Sequence, residues 1–174
     1  MKIKHLFPIV LLLALSTFTS CELFDKADDV NFDVDVPVDF VVNVTPNSEG
    51  GYTSEQVLNA SSDPDIAEYA DKIKEFKVNR ITYTITNSTA DGTTFTGEVT
   101  VAATGEVLSG VTNLSVANTS ETDLPANLDG FNDLASRLLE DKQETVMMNG
   151  QFSTSSVSFN IRLRFYLSVT ADAL

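Results

Sequence analysis

The sequence predicts a mainly β protein, an antiparallel sandwich of about seven strands. Two long segments, 30–44 and 157–169, place Val, Phe, Ile or Leu at every second position. This alternation is typical of a strand that buries one face. Shorter alternating segments lie between them, and sheets with one apolar face must cover one another. The two long strands and the need to pair apolar faces therefore set the fold class.

The first predicted strand covers residues 30–44. Pro37 has no backbone N–H, so it marks an edge position or divides the segment into two strands. The polar side carries Asp33, Asp35 and Asp39, and aspartates can bind calcium. Same-side residues on one strand are roughly 7 Å apart, and no glycine turn lies among them. We therefore interpret the three aspartates as a solvated face and predict no metal site.

The next segments predict a loop, a helix and a bulged strand. Residues 45–56 have the composition of a loop. Asp63 can cap a short helix with Pro64 at its first position, and apolar residues continue at helical spacing to Ile73. From residue 76 to 85 two alternating sets are offset by one residue, which predicts a bulge near Asn79-Arg80.

The second half predicts more strands and one further helix. The turn sequence at 90–92 precedes an alternating segment and indicates an antiparallel hairpin. Another strand is expected around 111–116, followed by an amphipathic helix over 128–141. A strand using Val146 and Met148 is expected before the last strand, and residues 149–156 are expected to supply the turn between them, since Asn149-Gly150 favours left-handed conformations.

Together these elements describe an immunoglobulin-like sandwich, in architecture only, with two short helices in its connections. The Cys…Trp…Cys signature of true immunoglobulin domains is absent. The alternative is an α+β arrangement in which a helix packs on one antiparallel sheet. We predict a signal peptide at 1–20, an acidic tether at 21–29 and one sandwich domain at 30–174.

The amino terminus has the organisation of a secretory signal. Lys2 and Lys4 precede an apolar stretch, Leu6–Leu15, which is about half the length needed to span a bilayer. Ordinary signal cleavage after Ser20 would place the bulky Phe18 where a small side chain is needed.

Phe18-Thr19-Ser20-Cys21 resembles the bacterial lipobox, with Phe18 where the family usually has Leu. The resemblance implies that Cys21 is the lipid attachment site, carrying a diacylglyceryl group and usually a further acyl chain such as palmitate. The alternative is a secreted protein with one spare thiol. The acidic run after Cys21 is similar to signals that send lipoproteins to the outer membrane or cell surface, and it is equally typical of a plain solvated linker.

Composition excludes several functions. After removal of residues 1–20, nine basic residues face twenty-five acidic ones, a net charge of −16, so we predict no nucleic acid partner. The mature chain has no histidine and no free thiol. Histidine-based catalytic triads and the usual zinc, haem and iron–sulfur ligand sets are therefore absent, and we predict no cofactor.

Three functions remain. The favoured one is a non-enzymatic lipid-anchored module that binds a protein partner or has a structural role in the envelope. The second is a lipoprotein that binds a ligand such as a glycan, although tryptophan is absent and Phe152 is the only phenylalanine outside the predicted core and the amino-terminal region. The third is a hydrolase using carboxylates such as Asp63/Asp65 or Glu140/Asp141.

Two further sequence features complete the predictions. Arg162 and Arg164 lie on the polar face of the last strand, so pairing with the first strand would set them across from its Asp33, Asp35 and Asp39. If the two strands lay apart, the arginines would be candidates for binding an anionic partner. We interpret five Asn-x-Ser/Thr triplets as unmodified; they begin at Asn43, Asn59, Asn87, Asn113 and Asn118.

Overall fold

The computed structural model describes residues 29–45, 50–90, 92–154 and 156–173. Eight strands and two α-helices follow one another along this part of the chain. The strands are β1 (Asp29–Val44), β2 (Gly51–Asn59), β3 (Ile73–Thr86), β4 (Thr94–Val101), β5 (Val107–Ser115), β6 (Thr119–Asp123), β7 (Gln143–Phe152) and β8 (Val157–Asp172). The helices are α1 (Pro64–Glu68), which follows a 3₁₀ turn at Ala60–Ser62, and α2 (Leu128–Asp141).

The strands form two antiparallel sheets of four strands each. The first sheet has the order β1-β8-β3-β6 and the second has the order β2-β7-β4-β5. The predicted antiparallel sandwich is therefore confirmed, with two sheets rather than the single sheet of the alternative. The eight strands and their order are those of a jelly roll, so the comparison with immunoglobulin domains holds for the architecture and not for the connections.

The core lies between the two sheets. The inward positions of β1 and β8 are the apolar residues that the alternation predicted, and Phe40, Phe165 and Leu163 are completely buried. Helix α2 has the predicted bounds, and its apolar stripe is buried at Phe131, Leu134 and Leu138. The stripe is thus core packing.

Several local predictions are confirmed. The side chain of Asp63 caps α1 by accepting hydrogen bonds from the backbone N–H groups of Asp65, at 2.9 Å, and Ile66. The pairing of β3 with β8 shifts register between Val78 and Arg80, where the bulge was expected. Helix α1 is shorter than predicted, because the chain has entered β3 by Ile73.

The structure contains two strands, β2 and β6, that the sequence did not predict. The predicted loop at 45–56 is wrong from Gly51 onward, because β2 pairs with β7 along its whole length. Only one of the nine residues of β2 is buried, and none of the five residues of β6 is. Backbone hydrogen bonds to a neighbouring strand stabilise both elements, and no apolar alternation marks them.

The hairpin predicted at 90–92 is wrong, and the turn predicted at 149–156 is confined to the residues after Phe152. The segment at 90–92 connects β3 in the first sheet with β4 in the second, and the connection from β7 to β8 also crosses between sheets. Asn149-Gly150 lies inside β7, where Gly150 pairs with Gly97 of β4. Turn-type residues therefore revealed neither which strands pair nor, at Asn149-Gly150, where the chain changes direction.

The first sheet has two distinguishable ends. β1 begins at Asp29 beside Asp172, the end of β8, and we call this the near end. Lys74 at the start of β3 forms an ion pair with Asp29, at 2.8 Å, and a second ion pair with Asp172. The opposite end, where β1 reaches Val44 beside Val157, is the far end.

Candidate functional site

The outward face of the first sheet carries most of the polar contacts between strands. β1 and β8 pair without interruption from Asp29 to Val44, so the polar side chains of both strands stand opposite one another. Pro37 lies in an edge strand, which is one of the two alternatives that the sequence left open. Five pairs are hydrogen-bonded: Asn31–Thr170, Asp33–Ser168, Asp35–Arg164, Asp39–Arg162 and Asn43–Ser158.

The predicted charge pairs between β1 and β8 are confirmed. Arg162 lies directly opposite Asp39 and donates two hydrogen bonds to its carboxylate, at 2.7 and 2.9 Å. Arg164 lies opposite Pro37 and donates diagonally to Asp35 at 2.5 Å. Both arginines are therefore neutralised within the sheet. The anion-binding role was expected only if the two strands lay apart, and they are neighbours.

Arg162 also changes the acidity of its partner. Its hydrogen bonds hold the pKa of Asp39 below the usual range for a carboxyl group, although partial desolvation acts in the opposite direction. The same hydrogen bonds raise the pKa of Arg162. Because both side chains are more than half exposed, solvent weakens the pair and its contribution to stability is small.

A second polar cluster links β8 to β3 and β6. The Tyr166 hydroxyl donates to Glu121 at 2.5 Å, and the Thr82 hydroxyl donates to the same oxygen at 2.7 Å. These hydrogen bonds lower the pKa of Glu121, and the bond to Glu121 raises the pKa of Tyr166. The Arg80 guanidinium lies 3.9 Å from the centre of the Tyr166 ring and pairs with Asp123. The cluster thus satisfies its own polar groups.

Near the far end, the ladder of hydrogen-bonded pairs has a gap. Val41 of β1 faces Asn160 of β8, and Asn160 in turn faces Thr86 of β3. Two adjoining depressions meet at Thr86, one reaching Val41 and Asn160 and the other reaching β6. We call their shared surface the Thr86 groove and define it by Val41, Thr86, Asn87, Asn118, Thr119 and Asn160. The ion-paired Asp39, Arg162 and Arg164 also line the first depression.

The polar groups of the Thr86 groove are largely unpaired. Among the described residues, the side chains of Thr86, Asn87, Thr119 and Asn160 have no hydrogen-bond partner. Asn118 is held by one bond, because its side-chain oxygen accepts from the Ser88 backbone N–H at 2.9 Å. Val41 adds an apolar patch and is 66% exposed. The groove therefore offers uncharged donors and acceptors beside an apolar side chain.

Other predicted site residues have different outcomes. Phe152 is buried and packs against Phe95, with ring centres 4.9 Å apart, so it is not an exposed platform for a sugar ring. Phe18, Thr19, Ser20 and Cys21 lie outside the described residues. Within residues 29–45, 50–90, 92–154 and 156–173, no cluster of three or more acidic, histidine or cysteine side chains could hold a metal ion. The same residues contain no helix of the length and hydropathy needed to cross a membrane.

Sequence reasoning missed the Thr86 groove because its residues come from four strands and their adjoining turns. Asn87 and Asn118 did attract attention as the starts of Asn-x-Ser/Thr triplets. That pattern could not indicate that both side chains line the same depression.

Comparison with known proteins finds only distant structural similarity. No family model matches the chain, and no curated protein matches it. Among solved structures, the cyanophage Pam1 capsid asymmetric unit is 12% identical, with a TM-score of 0.40 over 81% of this chain and 86% of that one. Desmodium yellow mottle tymovirus is 14% identical, with a TM-score of 0.37 over 83% and 90% of the two chains. The decameric BFDV capsid protein is 7% identical, with a TM-score of 0.40 over 80% and 99%. At these values the similarity carries no information about function.

Proposed function

We propose that this chain is a bacterial lipoprotein, anchored through lipid on Cys21, whose mature domain is a non-enzymatic binding or structural module of the cell envelope. The observation that carries the proposal is the order of sequence elements before Cys21: a charged segment, an apolar segment of signal length and the lipobox-like Phe18-Thr19-Ser20. The acidic residues that follow favour the outer membrane or cell surface, with a protein of the envelope as partner.

The start of the folded domain is compatible with such an anchor. β1 begins at Asp29, eight residues after Cys21, so the tether spans at most about 28 Å. The near end of the first sheet would then lie close to the bilayer. Two or more acyl chains, at about 0.8 kcal/mol for each buried methylene, would hold the protein there without a separate membrane-binding surface.

The state of the carboxylates favours a non-enzymatic role. Five acidic side chains on the outward face of the first sheet all have hydrogen-bonding or ionic partners: Asp33, Asp35, Asp39, Glu121 and Asp123. A carboxylate hydrolase needs two such groups facing each other across a cleft, one of them free to transfer a proton. The paired acids have the arrangement of structural contacts, which supports a non-enzymatic role.

The anchor is tested by changing Cys21→Ala in cells that express the full chain. We expect loss of labelled palmitate from the protein and its release from the detergent-soluble membrane fraction, because no other residue supplies the thiol that the lipid requires. Ser16→Ala is the matched control, since it lies outside the lipobox-like residues and should keep the label. Unchanged labelling of the Cys21→Ala protein would end the lipoprotein proposal.

A further inference from the structure

We infer that the Thr86 groove is a binding site for a neutral glycan, lying across the strands of the first sheet. The inference rests on the proposed function, because it assigns the ligand class of the anchored module. The first observation is the contrast along the β1–β8 ladder. On either side of the groove, facing polar side chains are hydrogen-bonded to each other, as in Asp39–Arg162 and Asn43–Ser158. At Val41 and Asn160 the pairing stops.

The second observation is the alignment of the groove residues. The strand register places Val41, Asn160 and Thr86 in one row across β1, β8 and β3. Thr119 of β6 pairs with the buried Ile85, so the outward row ends at Thr86 and Thr119 lines only the adjoining depression. Adjacent strands lie about 4.8 Å apart, so the row of three residues is roughly 10 Å long. An extended chain of a few sugar rings fits a row of this kind.

The third observation is the chemistry of the lining. Amide and hydroxyl groups both donate and accept hydrogen bonds, and so do the hydroxyls of a sugar. The bond from the Ser88 N–H fixes the Asn118 oxygen and leaves its NH₂ group to donate to a ligand. The exposed methyl groups of Val41 can contact the C–H face of a ring. Neutral donors and acceptors beside a small apolar patch therefore match an uncharged polyhydroxylated ligand.

The groove fits other ligand classes less well. An anionic ligand would need a free cation, yet Arg162 and Arg164, which line the groove, are held by the carboxylates of Asp39 and Asp35. A protein partner usually inserts or meets aromatic or arginine anchors in a closed pocket. The two arginines that line the groove, Arg162 and Arg164, are held in ion pairs with Asp39 and Asp35. The mature chain's net charge of −16 also disfavours acidic glycans.

The location of the groove suits an anchored receptor. Val41 lies twelve residues beyond Asp29, which is about 40 Å along β1 and away from the tether. Without aromatic stacking, a single groove should bind weakly, with a dissociation constant of about 1 mM. Many copies held on one membrane would bind a long polymer together, and that avidity compensates for weak single sites.

The test uses the soluble mature domain without Cys21, so that its outcome does not depend on lipidation. Biotinylated domain on streptavidin is applied to an array of neutral and acidic glycans. The best neutral oligosaccharide is then titrated by NMR while the side-chain amides of Asn87, Asn118 and Asn160 are observed. We expect neutral glycans to bind and these three amide signals to shift.

Variants locate the binding surface. Asn118→Ala and Asn160→Ala should each weaken binding about threefold to tenfold, because each removes a protein side chain that forms a hydrogen bond with the ligand. Thr170→Val is the matched control, because Thr170 is an outward residue of β8 at the opposite end of the sheet from the groove. This variant should bind the glycan like the unchanged protein.

Any of three results would overturn the inference. These are no binding to any neutral glycan on the array, a preference for acidic glycans, or neutral-glycan binding that survives both asparagine changes without shifts of the three amides. The proposed lipid anchor is tested separately. Persistent palmitate labelling of the Cys21→Ala protein would contradict the anchor, and it would leave glycan binding by the soluble domain unaffected.

Discussion

The change Gly97→Ala tests how tightly the second sheet is packed. Gly97 of β4 and Gly150 of β7 face each other across the strands, and the tip of the Phe95 ring lies against both. A Cβ atom on Gly97 would lie 2.2 Å from the Asn149 carbonyl oxygen, 2.5 Å from the ring tip and 2.8 Å from the Gly150 Cα. Two of these neighbours are backbone atoms, so the strands must separate or the ring must leave its position.

The expected cost follows from two opposing effects. Overpacking of a well-packed region costs typically about 1–3 kcal/mol. Replacing glycine by alanine also restricts the unfolded chain, which raises the free energy of unfolding by about 0.4–1 kcal/mol. Because backbone atoms of the neighbouring strand yield less than a flexible side chain, we expect a net loss of about 2 kcal/mol in the free energy of unfolding. For a domain of this size that lowers Tm by roughly 4–8 °C.

The measurement is urea denaturation of the soluble mature domain, with the free energy of unfolding obtained by linear extrapolation. Gly110→Ala is the matched control, because Gly110 lies in β5 of the same sheet and a Cβ there would meet no atom within 4 Å. The control should be unchanged or slightly more stable. If Gly97→Ala is no less stable than Gly110→Ala, the close approach of the two glycine strands is refuted.

Three further measurements test the polar contacts. A double-mutant cycle on Asp35 and Arg164 should give a coupling energy of about 0.2–1 kcal/mol that shrinks in high salt; a coupling of zero at low salt would contradict the observed pair. Since the pKa of Asp39 is lower in the folded state, its contribution is complete above about pH 5 and is lost as pH falls through the folded pKa. Arg162→Gln should therefore flatten the acid side of a stability–pH profile, and an unaltered profile would exclude this role. Asn127 caps α2 by accepting from two backbone N–H groups, so Asn127→Ala should cost about 1 kcal/mol in urea denaturation, and full stability would argue against the cap.

The sequence determined the elements that bury a full apolar face. β1, β8 and α2 follow from alternation or helical spacing alone, since burial requires a regular apolar pattern and the pattern survives in the linear chain. The pairing of β1 with β8 was also foreseeable, because opposite charges on their polar faces are complementary when the strands are neighbours. These features depend on local order or on simple charge matching.

The tertiary structure decided the remaining strands and the candidate site. β2 and β6 are polar, and they are strands only because β7 and β3 offer them backbone hydrogen bonds. Asn149-Gly150 has the composition of a turn yet lies inside β7, because pairing with β2 and β4 keeps the chain extended there. Packing of the two sheets decides which strands become neighbours. The Thr86 groove combines residues up to 119 positions apart, from Val41 to Asn160. No periodic pattern encodes such a surface, because it arises from strand order and register.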